Sequence, residues 1–186
     1  MHGRKRVRAL RRSIGVVFVA VCLAGAALAR SFRVEGPFDG LVEISIPADF
    51  RRMTDNERAI KYPVKDGPSV VFTNGEGNFD VAFSRKPGEM SIAQIDVIRA
   101  RISKGLRASQ PFAVWHNDAV VMVNGREFAH LQFTTNSLDV PIRNVLLATP
   151  ADGSVVLVSV NMPEAKVGDW MSVASEILGS VHITKP

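Results

Sequence analysis

The chain contains 186 residues, and its 23 Lys and Arg against 18 Asp and Glu give a formal net charge of +5. Six of the basic residues lie between Arg4 and Arg12, and without them the chain has 17 basic and 18 acidic residues and a net charge of −1. Nucleic-acid binding requires a clustered basic surface, and this near-neutral composition gives no indication of one. We therefore expect no nucleic-acid partner.

The first 29 residues show the three parts of a secretory signal peptide. The basic segment is followed by an uncharged, mostly apolar run from Ile14 to Leu28, and this run ends in Ala27-Leu28-Ala29, which fits a cleavage site. The apolar run is shorter than the roughly 18–20 residues that a membrane-spanning helix requires. We therefore predict a signal peptide over residues 1–29, cleaved near Ala29, and export to the periplasm. A retained membrane anchor is the alternative.

The only cysteine, Cys22, lies within this predicted signal peptide, so residues 30–186 contain none. The mature protein therefore has no disulfide, no catalytic thiol and no cysteine-ligated metal. Its about 157 residues suffice for one core, because a domain of about 150 residues buries roughly 68–70% of its unfolded surface. We predict one domain over residues 30–186 that does not span the membrane.

The first part of this domain is predicted to contain short strands. Leu41 to Ile46 alternates apolar and polar residues, which is the period-two pattern of a half-buried strand, and Pro47 ends it. Further strands are predicted at Ile60–Tyr62, Ser69–Thr73 and Phe79–Ser84, and a glycine-rich turn at residues 74–78 joins the last two.

Residues 91–106 change to the helical period. One apolar stripe recurs at spacings of three and four, at Ile92, Ile95, Ile98, Ile102 and Leu106. Ser91 and Gln94 have the spacing of a capping box, which marks the start of a helix. Arg101, Lys104 and Arg107 fall away from the stripe. We predict a solvated helix face there, with a binding role as the alternative.

The second part of the domain is predicted to form hairpins and a final helix. Strands are expected at Phe112–Trp115, Ala119–Val123, Glu127–Thr135, Ile142–Ala148 and Ser154–Val160. Asn124-Gly125 and Asp152-Gly153 have the composition of tight hairpin turns. Trp170 to Leu178 has one apolar helical face. Because strands joined by tight turns pair antiparallel, the sequence predicts an α+β fold, an antiparallel β-sheet covered by two amphipathic helices.

Four segments of the chain resemble the Mog/PsbP-like fold family, which includes the DcrB-like bacterial periplasmic proteins. These segments are Leu41–Phe50, Val121–Phe133, the Asp152-Gly153 turn with Val155–Val158, and Ala174–Ile183, and the resemblance extends over about residues 38–184. The resemblance implies an antiparallel sheet with a closing helix. It also implies a small binding, adaptor or assembly factor, because the family offers no shared catalytic residues.

One candidate site is the polar segment Trp115-His116-Asn117-Asp118, which we predict to form a surface turn between two strands. A histidine beside an aspartate can act as a general base and its orienting acid in hydrolysis. No nucleophile or metalloprotease motif accompanies the pair. We therefore predict an ordinary surface turn, with a recognition role for Trp115, His116 and Asp118 as the alternative, in which Trp115 is an interface aromatic.

A second candidate site is the turn between the predicted strands 69–73 and 79–84. Asn74, Glu76, Asn78 and Asp80 place four oxygen-bearing side chains at alternate positions, and calcium takes six to eight oxygen ligands. The segment lacks the distant bidentate glutamate of an EF-hand loop, and a glycine-rich hairpin turn accounts for it equally well. We predict no cofactor, with a calcium ion held by these four residues as the alternative.

Together, these features predict an exported, non-enzymatic binding or accessory protein of the bacterial envelope that acts through protein–protein interaction. An inhibitor, immunity or adaptor protein of a secretion system in the periplasm is one alternative. A periplasmic hydrolase that uses His116 and Asp118 is the other. The sequence leaves the identity of the envelope protein partner and the oligomeric state open.

Overall fold

A computed structural model describes residues 30–88, 91–137 and 140–185 of the chain. The predicted signal peptide lies outside these residues. The described residues form ten strands and three helices: β1 (Phe32–Glu35), β2 (Val42–Pro47), β3 (Arg51–Arg52), α1 (Asp55–Lys61), β4 (Val70–Thr73), β5 (Asp80–Pro87), α2 (Ile95–Ser109), β6 (Val114–Val123), β7 (Arg126–Ser137), β8 (Val140–Ala151), β9 (Ser154–Pro163), α3 (Val167–Gly179) and β10 (His182–Ile183).

The strands form two antiparallel sheets. The larger sheet has seven strands in the order β3-β4-β5-β9-β8-β7-β6, and the smaller has three in the order β1-β2-β10. Strand β9 pairs with β5 on one side and β8 on the other, so it lies at the centre of the larger sheet. The long strand β6 and the two-residue strand β3 form the two edges of the larger sheet.

Two hairpin turns have the backbone conformation that their sequences predict. Asn124 and Gly125 have φ angles of 47° and 78°, and Asp152 and Gly153 have φ angles of 46° and 65°. Two-residue hairpin turns with positive φ at both positions match the twist of the flanking strands, and Asn-Gly and Asp-Gly tolerate that conformation best. These turns set the register of β6 with β7 and of β8 with β9.

Each face of the larger sheet has its own core. On one face, α2 packs Ile95 and Ile98 against Ala129 and Ala148. On the other, α3 packs Ala174, Ile177 and Leu178 into a larger cluster that also contains the smaller sheet. Trp170 of α3 lies in this second core, where its ring is 4.7 Å from Phe79 and 6.0 Å from Phe50 between centroids. The predicted α+β fold, an antiparallel sheet with amphipathic helices, is confirmed.

Helix α1 replaces the strand predicted at Ile60–Tyr62. Its N-terminus is a capping box: the Glu57 amide donates to Thr54 Oγ1 at 3.3 Å, and the Thr54 amide donates to Glu57 Oε2 at 2.8 Å. Arg51 also donates to both carboxylate oxygens of Glu57, and these hydrogen bonds with those from Thr54 lower the pKa of Glu57 to about 2. Polar contacts at its start therefore stabilise this helix, which buries none of its residues.

Candidate functional site on strand β6 and helix α2

The predicted recognition residues lie within strand β6, so the prediction of a surface turn is wrong. Trp115 pairs with Phe133 of β7 and Asn117 pairs with Gln132, which leaves His116 as the extra residue of a β-bulge. The bulge breaks the alternation of side chains. Trp115 and Asp118 therefore lie on the face covered by α2, whereas His116 and Asn117 lie on the opposite face.

Asp118 connects β6 to α2. Its carboxylate accepts hydrogen bonds from Arg99 Nη1 at 2.7 Å, Ser103 Oγ at 2.6 Å and Arg107 Nη2 at 3.3 Å. Partial burial alone would raise the pKa of Asp118, but these hydrogen bonds outweigh it and the pKa is lowered. The Arg107 guanidinium also lies 3.8 Å from the centre of the Trp115 ring.

His116 belongs to a separate cluster on the other face. Its Nε2 lies 2.8 Å from Thr134 Oγ1, and that hydroxyl donates to Glu164 Oε2 at 2.8 Å. Because the single hydroxyl hydrogen is directed to Glu164, His116 Nε2 is the donor to Thr134. Arg143 binds both carboxylate oxygens of Glu164 and lowers the pKa of that group.

The hydrolase interpretation required His116 and Asp118 to form one base–acid pair. They lie on opposite faces of the sheet, and the partners of Asp118 are Ser103 and two arginines. The carboxylate in the cluster of His116 is that of Glu164, which holds the Thr134 hydroxyl and Arg143. The pair proposed from the sequence therefore does not form.

Three of the four residues of the candidate calcium site lie in the predicted turn and bond to one another, whereas Asp80 is the first residue of β5. Asn74 Oδ1 accepts the amide hydrogens of Asn78 and Phe79, at 3.0 and 3.2 Å, and Asn78 Nδ2 donates to Glu76 at 2.7 Å. Asp80 is buried and accepts hydrogen bonds from Tyr62 and Thr73. Within residues 30–88, 91–137 and 140–185, no three His, Cys, Asp or Glu side chains are placed to hold one metal ion.

The outer side of β6 is open. Val123 and Arg126 flank the two-residue turn and exchange hydrogen bonds, so the N–H and C=O groups of Val121 and Ala119 also point to β7. The N–H and C=O groups of Met122, Val120 and Asp118 point away from β7, outward from the edge of the sheet. No strand pairs with them in the described part of the chain. Residues 119–123 are uncharged, since this segment reads Ala-Val-Val-Met-Val, and Met122 is 62% exposed.

A groove of about 270 Å³ runs beside this edge on the face that carries α3. Its lining is mostly apolar, with two polar residues on β7; the lining includes Val121, Val123, Leu147, Met171, Leu178, His130 and Gln132. Asn117 Nδ2 lies 2.6 Å from His130 Nδ1, and burial lowers the pKa of His130. An amide donor at Nδ1 fits the neutral ring, so the groove carries no charge at this position.

The sequence did not indicate that β6 is an edge strand. An apolar run such as Val120–Val123 fits a central strand as well as an edge strand, and strand order depends on long-range pairing. The strand predicted from Phe112 begins instead at Val114, and Gln110-Pro111 before it is a turn signal that marks the end of α2.

In the residues that the structure describes, no helix is both long and apolar enough to cross a membrane. No protein-family model matches the sequence, and no curated protein matches it.

Several solved structures share the fold. The cyanobacterial PsbP (CyanoP) of Synechocystis sp. PCC 6803 aligns with a TM-score of 0.62 at 12% identity, over 86% of this chain and 96% of that one. LpqN, involved in cell envelope biogenesis of Mycobacterium tuberculosis, aligns with a TM-score of 0.52 at 11% identity, over 85% and 92%. The Ran-binding protein Mog1p of Saccharomyces cerevisiae aligns with a TM-score of 0.51 at 9% identity, over 84% and 97%. The chain therefore has the Mog/PsbP-like fold that its sequence resembles.

Proposed function

We propose that this protein is an exported, non-enzymatic accessory protein of the bacterial envelope, and that it binds a protein partner through strand β6. The open edge of β6 is the observation that carries the proposal. Natural sheets usually protect their edges with short strands, charges or proline, as the two-residue strand β3 with Arg51 and Arg52 does at the opposite edge. Residues 119–123 of β6 have none of these protections.

The expected partner segment is an extended strand with apolar side chains at alternate positions. Main-chain hydrogen bonds to Asp118, Val120 and Met122 would supply affinity, and alternate side chains of the added strand would lie beside the groove at Val121 and Leu147. This mode of recognition requires no catalytic group and no cofactor. It is supported by fold likeness to a Ran-binding protein and to a protein of cell envelope biogenesis.

Blocking the edge is expected to abolish partner binding. Met122→Lys places a charge on the open strand without disturbing the core, because Met122 is 62% exposed. Val34→Lys is the matched control, since Val34 is 71% exposed on β1 at the edge of the smaller sheet. The measurement is capture from envelope extracts, followed by the dissociation constant of the isolated partner for each variant. Equal affinity of the wild type, Met122→Lys and Val34→Lys for that partner would contradict the role of β6.

The assignment to the envelope rests on residues 1–29 and has its own test. We expect the protein in a periplasmic fraction to begin at Arg30, as determined by N-terminal sequencing. An Ala29→Arg variant should keep the precursor form, because signal peptidase requires small residues at its site. Recovery of the wild-type chain with residues 1–29 still attached, in the membrane fraction, would instead support the retained anchor.

Accessory function in a secretion system is the narrower form of this proposal. An inhibitor, immunity or adaptor protein of such a system would also act by protein binding in the periplasm. The identity of the partner captured through β6 distinguishes this form from a general role in the envelope.

A further inference from the structure

Helix α2 presents cations and small apolar side chains to solvent. Its apolar stripe packs on the sheet, and its opposite side is exposed along the whole helix. The outward residues are Val97, Ala100, Arg101, Lys104, Arg107 and Ala108. Val97 is 55% exposed, and it lines a shallow depression together with Asp96, Arg99, Ala100, Arg101 and Lys104.

Two of these cations are not neutralised. Arg99 and Arg107 bind the carboxylate of Asp118, and Arg99 also pairs with Asp96. Arg101 and Lys104 form no ion pair within the described part of the chain. Between residues 91 and 115 there are four basic residues and one acidic residue, whereas residues 30–186 carry a net charge of −1. The positive charge is therefore local to α2.

An aromatic side chain protrudes directly after this helix. Phe112 is 93% exposed, and Val114, which follows at the start of β6, is 59% exposed. The Ala113 amide donates to the Gln110 carbonyl at 3.0 Å and so closes a turn that holds Phe112 at the end of α2. Burial of a phenylalanine side chain removes a large apolar surface from water, so this position offers apolar surface to a binding partner.

We propose that the outward side of α2 and the turn at Phe112 form a docking surface for an anionic lipid bilayer. Arg101 and Lys104 contact the headgroups, and Phe112 enters the boundary between headgroups and acyl chains. An anionic bilayer attracts exposed cations near its surface, and an exposed aromatic side chain enters the boundary between headgroups and acyl chains.

This surface is separate from the groove proposed for the protein partner. Helix α2 covers one face of the larger sheet, and the groove lies on the other face, beside α3. A protein docked on a bilayer through α2 therefore keeps the groove accessible. The inference does not depend on the proposed function, because vesicle binding is measured without a protein partner.

The test is co-sedimentation of the chain from Arg30, which contains all of the described fold, with lipid vesicles in low salt. We expect binding to vesicles that contain phosphatidylglycerol and none to phosphatidylcholine alone. Arg101→Glu with Lys104→Glu should weaken the binding by roughly 30-fold or more, given the contribution of each cation near an anionic surface. The matched control, Arg52→Glu with Lys65→Glu, changes the net charge equally at two other exposed positions and should retain most of the binding.

The apolar contact is tested by a second pair of variants. Phe112→Ser should weaken vesicle binding by roughly tenfold, from the lost burial of the ring. Ile60→Ser removes a residue that is 81% exposed on α1 and should leave the binding unchanged. Absence of binding to phosphatidylglycerol vesicles, or an equal loss in a variant and its control, would overturn the proposal. So would a finding that these cations bind an acidic protein and not lipid.

Discussion

Asp80→Ala is expected to lower the free energy of unfolding by about 3 kcal/mol. The Asp80 side chain is buried and accepts hydrogen bonds from Tyr62 Oη and from Thr73 Oγ1, each at 2.7 Å. Lys61 Nζ lies 2.6 Å from the same carboxylate. Alanine would leave a buried hydroxyl on Thr73 and a largely buried hydroxyl on Tyr62 without this acceptor. Lys61 is 37% exposed and regains water, so its contribution to the loss is small.

Two further variants separate these contributions. Asp80→Asn keeps one acceptor oxygen and removes the charge, so we expect a smaller loss of about 1–2 kcal/mol. Asp66→Ala removes an exposed carboxylate and serves as the control, with no change expected. Urea denaturation, monitored by tryptophan fluorescence, measures the free energy of unfolding of all three variants, because Trp170 lies in the core. Equal stability of Asp80→Ala and Asp66→Ala would contradict this account.

Glu164→Gln is expected to lower the free energy of unfolding by about 2 kcal/mol at pH 7. The side chain of Arg143 is only 11% exposed, and the substitution would remove its anionic partner. Glu164 itself is 36% exposed, so solvent screening reduces the loss below that of a fully buried pair. The Thr134 hydroxyl would also lose its charged acceptor.

The same variant has an expected pH dependence. Hydrogen bonds from Arg143 and Thr134 lower the pKa of Glu164 in the folded state, so the folded state binds fewer protons than the unfolded state in acid. The stabilisation is complete above the unfolded pKa of about 4.3 and is lost as the pH falls through the folded pKa. The difference between wild type and Glu164→Gln should therefore shrink as the pH falls below about 4.

Urea denaturation at several pH values measures the difference in free energy of unfolding between the wild type and Glu164→Gln. Glu176→Gln is the matched control on the exposed side of α3, and Glu176 forms no ion pair within the described ranges. The free energy of unfolding of Glu176→Gln should differ little from that of the wild type at every pH measured. A difference for Glu164→Gln that stays constant from neutral pH into acid would exclude the Arg143–Glu164 pair as the source of the stabilisation.

Local signals predicted a large part of the fold. The turns at Asn124-Gly125 and Asp152-Gly153 formed as expected because their residues tolerate positive φ. The apolar stripe that includes Ile95 and Ile98 placed α2 correctly against the sheet. Helix α1 was missed even though Thr54 and Glu57 have the spacing of a capping box, because its short sequence lacks the apolar stripe of a packed helix.

The candidate site was harder to predict because it depends on long-range pairing and on one irregularity. Strand β9 lies between β5 and β8, although a helix and three strands separate β5 from β9 in the chain, and no local pattern encodes that order. The bulge at His116 reverses which side chains share a face, so strict alternation places Asn117 and Asp118 on the wrong sides. The residues between Trp115 and Asp118 resembled a turn because they are polar, but arginines of α2 and polar residues of β7 accommodate them.

The unequal edges of the larger sheet also limit how many chains it can recruit. Strand β3 has two residues, so among the described strands of this sheet only β6 has an edge long enough for the addition of a long strand. A second copy of the protein that joined this edge through its own β6 would occupy the long edges of both larger sheets at once. Strand addition to the larger sheet would therefore stop after one partner, with a stoichiometry of one to one.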